Sequence, residues 1–134
     1  MKLAGLTLAY WSLIVAAMLP FVCAAVAKKG MIGVARKQGG YDNHLPRAWL
    51  ARQTDWRARA NAAQANSFEA LPLFMAAVIV AHQLGAHQVR LDLLAFLFVV
   101  LRLVYILLYL ADLASARSAV WALALLVNLA IFFV

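Results

Sequence analysis

Apolar residues run almost unbroken through four stretches of the chain, at about residues 3–27, 60–84, 92–111 and 116–134. A helix rises about 1.5 Å per residue, so some 20 residues cross a hydrocarbon layer about 30 Å thick. Each stretch is long enough, or nearly so, to be one crossing. The third and fourth are parted only by a tight segment around Asp112 to Ser115, which makes them an antiparallel hairpin. The pattern predicts an all-α, integral membrane four-helix bundle, with residues 1–134 as a single domain free of repeats and linkers. Ala25-Val26-Ala27 resembles a signal-peptide cleavage site. The run before it is longer than a signal core, and Lys28-Lys29 disfavours export of the segment beyond, so the first stretch reads as a span.

The connection between the first two stretches is polar but not uniform. Arg36-Lys37-Gln38-Gly39-Gly40 reads as a basic turn. After it, Asp42 or Asn43 can cap a helix with Pro46 in its first turn. Trp49 and Trp56 would share a face with Leu45, giving an interfacial amphipathic helix that runs into the second span; the alternative is an irregular solvated loop.

Composition agrees with burial in lipid. The chain of 134 residues is 67% hydrophobic, with a mean hydropathy of +0.88. A soluble exterior could not absorb that much apolar surface. Twelve Lys and Arg face five acidic residues. Eight of the twelve, Lys28, Lys29, Arg36, Lys37, Arg47, Arg52, Arg57 and Arg59, fall between the first two apolar runs. Bases clustered this way mark topology and contact with anionic membrane lipid, and they argue against nucleic acid as a partner. The first connection is therefore expected in the cytoplasm and both termini on the far side. Arg117, taken as lying on the far side too, stands as an exception to the trend. One cysteine, Cys23, sits in an apolar run and reads as a packing or lipid-facing thiol.

The polar residues inside the spans carry the chemical information. A charge at mid-membrane costs at least about 2.5–3.5 kcal/mol on insertion scales, so it faces a partner or a wet cavity. Arg59, Ala62, Asn66 and Glu69 fall on one helical face of the second span, and Pro72 lies one turn beyond. Arg102, Tyr105, Tyr109 and Asp112 repeat that spacing in the third. Glu69 and Arg102 lie at comparable depth and are natural partners, either as a purely structural pair or as the charged lining of a cavity open to the cytoplasm. His44, His82 and His87 have no metal-ligand spacing, and His82 and His87 look like loop-end residues. Asn128 in the last span reads as interhelical glue. Tyr10, Trp11 and Trp121 fit membrane-interface positions.

The segment Ala63-Gln-Ala-Asn66-Ser-Phe-Glu69-Ala-Leu-Pro72-Leu-Phe74 resembles the second helix of the MAPEG family (membrane-associated proteins in eicosanoid and glutathione metabolism). Arg102-Leu-Val-Tyr105-Ile-Leu-Leu-Tyr109, with Ala116-Arg117-Ser118 after it, resembles the end of that family's third helix and the turn beyond. Gly40-Tyr41-Asp42-Asn43 looks like the bacterial branch, which points to a multi-pass protein of a bacterial inner membrane. The resemblance implies a homotrimer with glutathione, as cosubstrate, bound between subunits. It implies a glutathione-dependent transferase or peroxidase acting on small hydrophobic electrophiles; other members isomerise. Asn66 and Glu69 match the glutathione-binding pair, Tyr105 and Tyr109 match ligand contacts, and Arg117 looks like the arginine that activates the thiol. Arg102 joins the binding set through its facing Glu69. The family's arginine four residues before Asn66 is Ala62 here, and Arg59, one turn earlier, is the candidate replacement. The alternative is a non-catalytic scaffold or lipid-binding relative whose polar face only holds subunits together.

Overall fold

A computed structural model describes residues 2–134. Four long helices carry the bundle: α1 (Leu8–Lys28), α3 (Asp55–Gln83), α4 (Gln88–Leu110) and α5 (Ala114–Ile131), with a short α2 (Pro46–Ala51) in the first connection. All four long helices are long and apolar enough to cross a membrane. α1 packs along α3 and α4, and α5 packs chiefly on α4. The core between them is built from small and aromatic side chains, with Phe74 of α3 stacked on Phe98 of α4 at 4.1 Å.

The first span begins later than its hydropathy suggests. Lys2–Leu3 (β1) and Leu6–Thr7 (β2) form a tight antiparallel hairpin, turned by Ala4 and Gly5 at positive φ. Thr7 then caps α1, its hydroxyl accepting from the Tyr10 amide. The two tight connections between long helices share one device. After α3, Gly85 takes φ +70°, Gly85 N–H donates to the His82 carbonyl and Ala86 N–H to the Ala81 carbonyl. After α4, Asp112 takes φ +59°, with Asp112 N–H on Tyr109 and Leu113 N–H on Leu108. Each is a left-handed cap that closes the last carbonyls and reverses the chain within a few residues.

The expected helix leading into the second span is broken. Leu45, rather than Asp42 or Asn43, precedes α2, and the chain leaves helical geometry between Ala51 and Asp55. Asp42 instead accepts from the His44 amide at 2.9 Å and lies 3.7 Å from Arg36. Trp49 turns inward, 3% exposed, donating to the Gly39 carbonyl and meeting Tyr41 edge-on. Trp56 remains on the surface under the Arg57 guanidinium, so the two tryptophans share no face.

Parity of crossings corrects the placing of Arg117. α1 crosses once, and α3 and α4 cross back and return, so the first and last connections lie at the same end of the bundle. Two hydrogen bonds fasten that end: Arg57 to the Ala27 carbonyl at 2.8 Å and Arg59 to the Leu110 carbonyl at 3.2 Å. Each guanidinium caps the C-terminus of a neighbouring helix, where carbonyls and the helix dipole attract a cation. Arg117 thus joins the eight bases of the first connection, leaving Lys2 and Arg90 at the opposite end and Arg102 within the span.

Candidate functional site

Arg102 is the centre of the site. It sits two helical turns inside α4 and is 3% exposed. Its Nη2 donates to Asn66 Oδ1 at 2.7 Å, and its guanidinium lies over the Tyr105 ring at 4.3 Å. Asn66 in turn donates through Nδ2 to Glu69 Oε2 at 3.4 Å. The expected Glu69–Arg102 pair is therefore not a direct contact; an amide stands between the two charges. One turn of α3 separates Asn66 from Glu69, so the two side chains meet on one face. The reach of Asn66 toward α4 satisfies a buried guanidinium that would otherwise be costly. Glu69 remains exposed on the single chain.

Nearer the basic end, Arg117 lies with its Cζ 4.2 Å from the centre of the Tyr109 ring. Tyr109 meets Tyr105 edge-on at 5.7 Å. Arg102, Tyr105, Tyr109 and Arg117 thus form one continuous row of cations and rings along α4 and into α5, a guanidinium at each end. A guanidinium lying on a ring keeps its in-plane N–H groups free. Among the described residues, the Arg117 side chain donates no hydrogen bond.

Two adjoining cavities open on this row. The deeper, about 170 Å³, is lined by Asn66, Glu69 and Arg102 and by apolar walls from α3, α4 and α5. The shallower, about 210 Å³, is lined by Asn66, Tyr105, Tyr109, Arg117, Ser118 and Trp121. Asn66 and Trp121 line both, which makes them the boundary between the chamber that holds Arg117 and the one with longer apolar walls. Six of the seven residues singled out in the sequence are thereby brought together: Asn66, Glu69, Arg102, Tyr105, Tyr109 and Arg117. Arg59 is not, because its side chain is spent on the end of α4. Trp121 was read as an interfacial anchor, yet it walls both cavities; its seven-residue spacing from Asn128 on α5 was the available signal.

A second polar cluster lies at the opposite end, around a histidine that looked like a loop residue. His82 donates through Nδ1 to the Val78 carbonyl at 2.8 Å, which leaves Nε2 to accept from the Thr7 hydroxyl at 3.0 Å. The ring stacks on Tyr10 at 4.0 Å. Buried Asp92 accepts from the Ala9 amide at 2.9 Å and from the Gln88 side chain at 2.8 Å. Tyr10 is half-buried and packs against this cluster. Cys23 is a packing thiol, 1% exposed among Leu19, Ala63, Tyr105 and Ile106.

The family model described as MAPEG family matches residues 8–134, nearly the whole chain. No curated protein and no solved structure matches it.

Proposed function

Because this chain belongs to the MAPEG family, we propose that it is a glutathione-dependent transferase or peroxidase acting on hydrophobic electrophiles in a bacterial inner membrane. The observation that carries the proposal is Arg117, held over the Tyr109 ring with its N–H groups uncommitted, where two cavities adjoin. Glutathione enters the shallower chamber from the basic, cytoplasmic end. Asn66 and Tyr105, which line that chamber, hold its charged groups, with Arg102 and Glu69 reached past Asn66 at the boundary with the deeper cavity, and its sulfur lies near Arg117 and Tyr109. A free thiol has a pKa near about 8.5, so an adjacent guanidinium raises the thiolate fraction at neutral pH. The sulfur lone pair then forms a C–S bond with an electrophile in the deeper cavity, either as a leaving group departs with the displaced electron pair or, at an α,β-unsaturated carbonyl, as the alkene pair shifts onto the carbonyl oxygen and the resulting enolate takes up the thiol's proton. In the peroxidase variant, two glutathiones are oxidised to the disulfide while a hydroperoxide is reduced to an alcohol and water.

A homotrimer belongs to this reading. Glu69 lies in the middle of a membrane-spanning helix and is exposed on the single chain. A carboxylate does not face lipid at that depth without large cost, so a second copy covers it. The rival is a scaffold or lipid-binding relative with the same polar face and no thiol chemistry. A glutathione titration of the detergent-solubilised protein separates them. Saturable binding, weakened by Arg102→Met, supports the enzyme; no binding at millimolar glutathione leaves the scaffold.

A further inference from the structure

The deeper cavity has a polar floor as well as a polar mouth, and the floor has no use in thiol activation or transfer. By their order along the helices, Asn66, Glu69, Arg102 and Trp121 line its end nearer the basic side, the mouth; Ala70, Phe98, Ala124 and Leu125 line the stretch between; and Leu73 and Asn128 lie at the other end, the floor. Trp121 and Asn128 are seven residues apart on α5, which places them about 10 Å apart along the membrane normal. Asn66 and Leu73 repeat the same spacing on the parallel helix α3. The cavity therefore runs about that length along an apolar wall, with a carboxamide at the end away from Arg102.

That carboxamide lacks a partner. Asn128 is 2% exposed, and its Oδ1 is buried with no hydrogen bond among the described residues. A buried amide oxygen left unmet costs about 1–3 kcal/mol, more than an apolar side chain in its place would. Interhelical glue within the chain does not explain it, because its Oδ1 meets no neighbouring helix among the described residues. The cavity it lines is the route by which a partner comes to it. An amide offers one acceptor and one donor group, exchanged by rotation about its last bond, and a hydroxyl can meet either.

We propose that Asn128 is a specificity-determining residue that recognises a hydroxyl at the far end of an elongated apolar acceptor whose electrophilic end lies by Arg117. This rests on the transferase reading for the electrophile but not for the binding preference. The acceptor class is thus a medium-length ω-hydroxylated lipid electrophile, rather than any apolar molecule that fits. Shorter electrophiles do not reach the floor and gain nothing from Asn128.

The test uses two α,β-unsaturated aldehydes with eleven-carbon chains, one ending in methyl and one in hydroxyl, together with their saturated counterparts, which a thiol does not attack at the alkene. Glutathione conjugation is measured for the unsaturated pair, and binding for the saturated pair by thermal shift without glutathione, in wild type and Asn128→Leu. The hydroxyl-to-methyl preference should fall about tenfold in the variant, in kcat/KM and in affinity alike, the equivalent of about 1.4 kcal/mol. A short acrolein-type electrophile should turn over equally in both proteins. An unchanged preference overturns the proposal, including the case in which a trapped water already satisfies the amide. If no acceptor is conjugated, the transferase reading fails and the saturated pair still decides the role of Asn128.

Discussion

Two polar clusters stand at opposite ends of α3 and α4, and they differ in what they leave over. Around His82 and Asp92 the bonds close on themselves: Thr7, His82, Gln88 and Asp92 each meet a partner within the cluster. Around Arg102 and Arg117 the bonds run outward. Arg102 is met by one amide, Glu69 is held only through that amide, and Arg117 rests on a ring with its donors unused. Both clusters put polar groups where lipid surrounds the bundle, so polarity alone does not distinguish structure from function. The unused hydrogen-bonding capacity beside a cavity does. The closed cluster fastens the hairpin and α1 to the helical pair, and on the proposed reading the open one takes a ligand.

Removing the open cluster's free cation should produce the largest change, and only in rate. Arg117→Ala is expected to lower glutathione turnover at neutral pH by about a hundredfold or more, the usual scale for losing an activating group. Thermal unfolding and oligomer size should stay at wild-type values. Turnover should recover in part as pH rises through about 8.5, where the thiol ionises unaided. Arg117→Lys should recover less than the charge alone suggests, because the flat fork that lies on Tyr109 is lost. A large drop in melting temperature would assign Arg117 to the structural class and erase the contrast.

The closed cluster should show the opposite signature. Asp92→Ala strips the Ala9 amide and the Gln88 side chain of their acceptor and is expected to cost about 3 kcal/mol of stability. Unfolding in graded denaturing detergent measures it, with glutathione affinity of the folded fraction unchanged. Altered affinity in well-folded protein would show that the two ends communicate.

Within the open cluster the effects should be graded. Asn66→Ala leaves a buried guanidinium without its amide and should cost about 2 kcal/mol. Glu69→Ala removes an exposed carboxylate held at 3.4 Å and should cost less than about 1 kcal/mol in the monomer. Comparing the two variants by thermal unfolding checks the order. A larger loss for Glu69→Ala that persists in protein dissociated to monomers would restore the direct pair between Glu69 and Arg102.

Hydropathy and spacing carried the four spans, the tight last turn and the face bearing Asn66 and Glu69, because helical period and membrane thickness act on every residue alike. The Asn66–Arg102 bond was within reach of that reading, since both sit at similar depth, but opposite charges drew attention past the neutral amide. The His82 cluster was not legible, because Thr7, His82, Gln88 and Asp92 meet only after the Gly85 cap reverses the chain and the hairpin folds onto it. Trp49 was hidden for a similar reason: its burial depends on the connection folding back through Gly39 and Tyr41. The side of Arg117 needed only a count of crossings.

The central claim is that Arg117 turns bound glutathione into a thiolate, and the ultraviolet absorbance of the thiolate reads that directly. Glutathione is added at neutral pH to wild type and to Arg117→Ala in the same detergent, and the absorbance is tracked to saturation. The account predicts a saturable thiolate signal in wild type, with proton release, that is lost or delayed to high pH in the variant while glutathione still binds. A thiolate signal of equal size in both proteins, or bound glutathione with no thiolate in wild type, would contradict it.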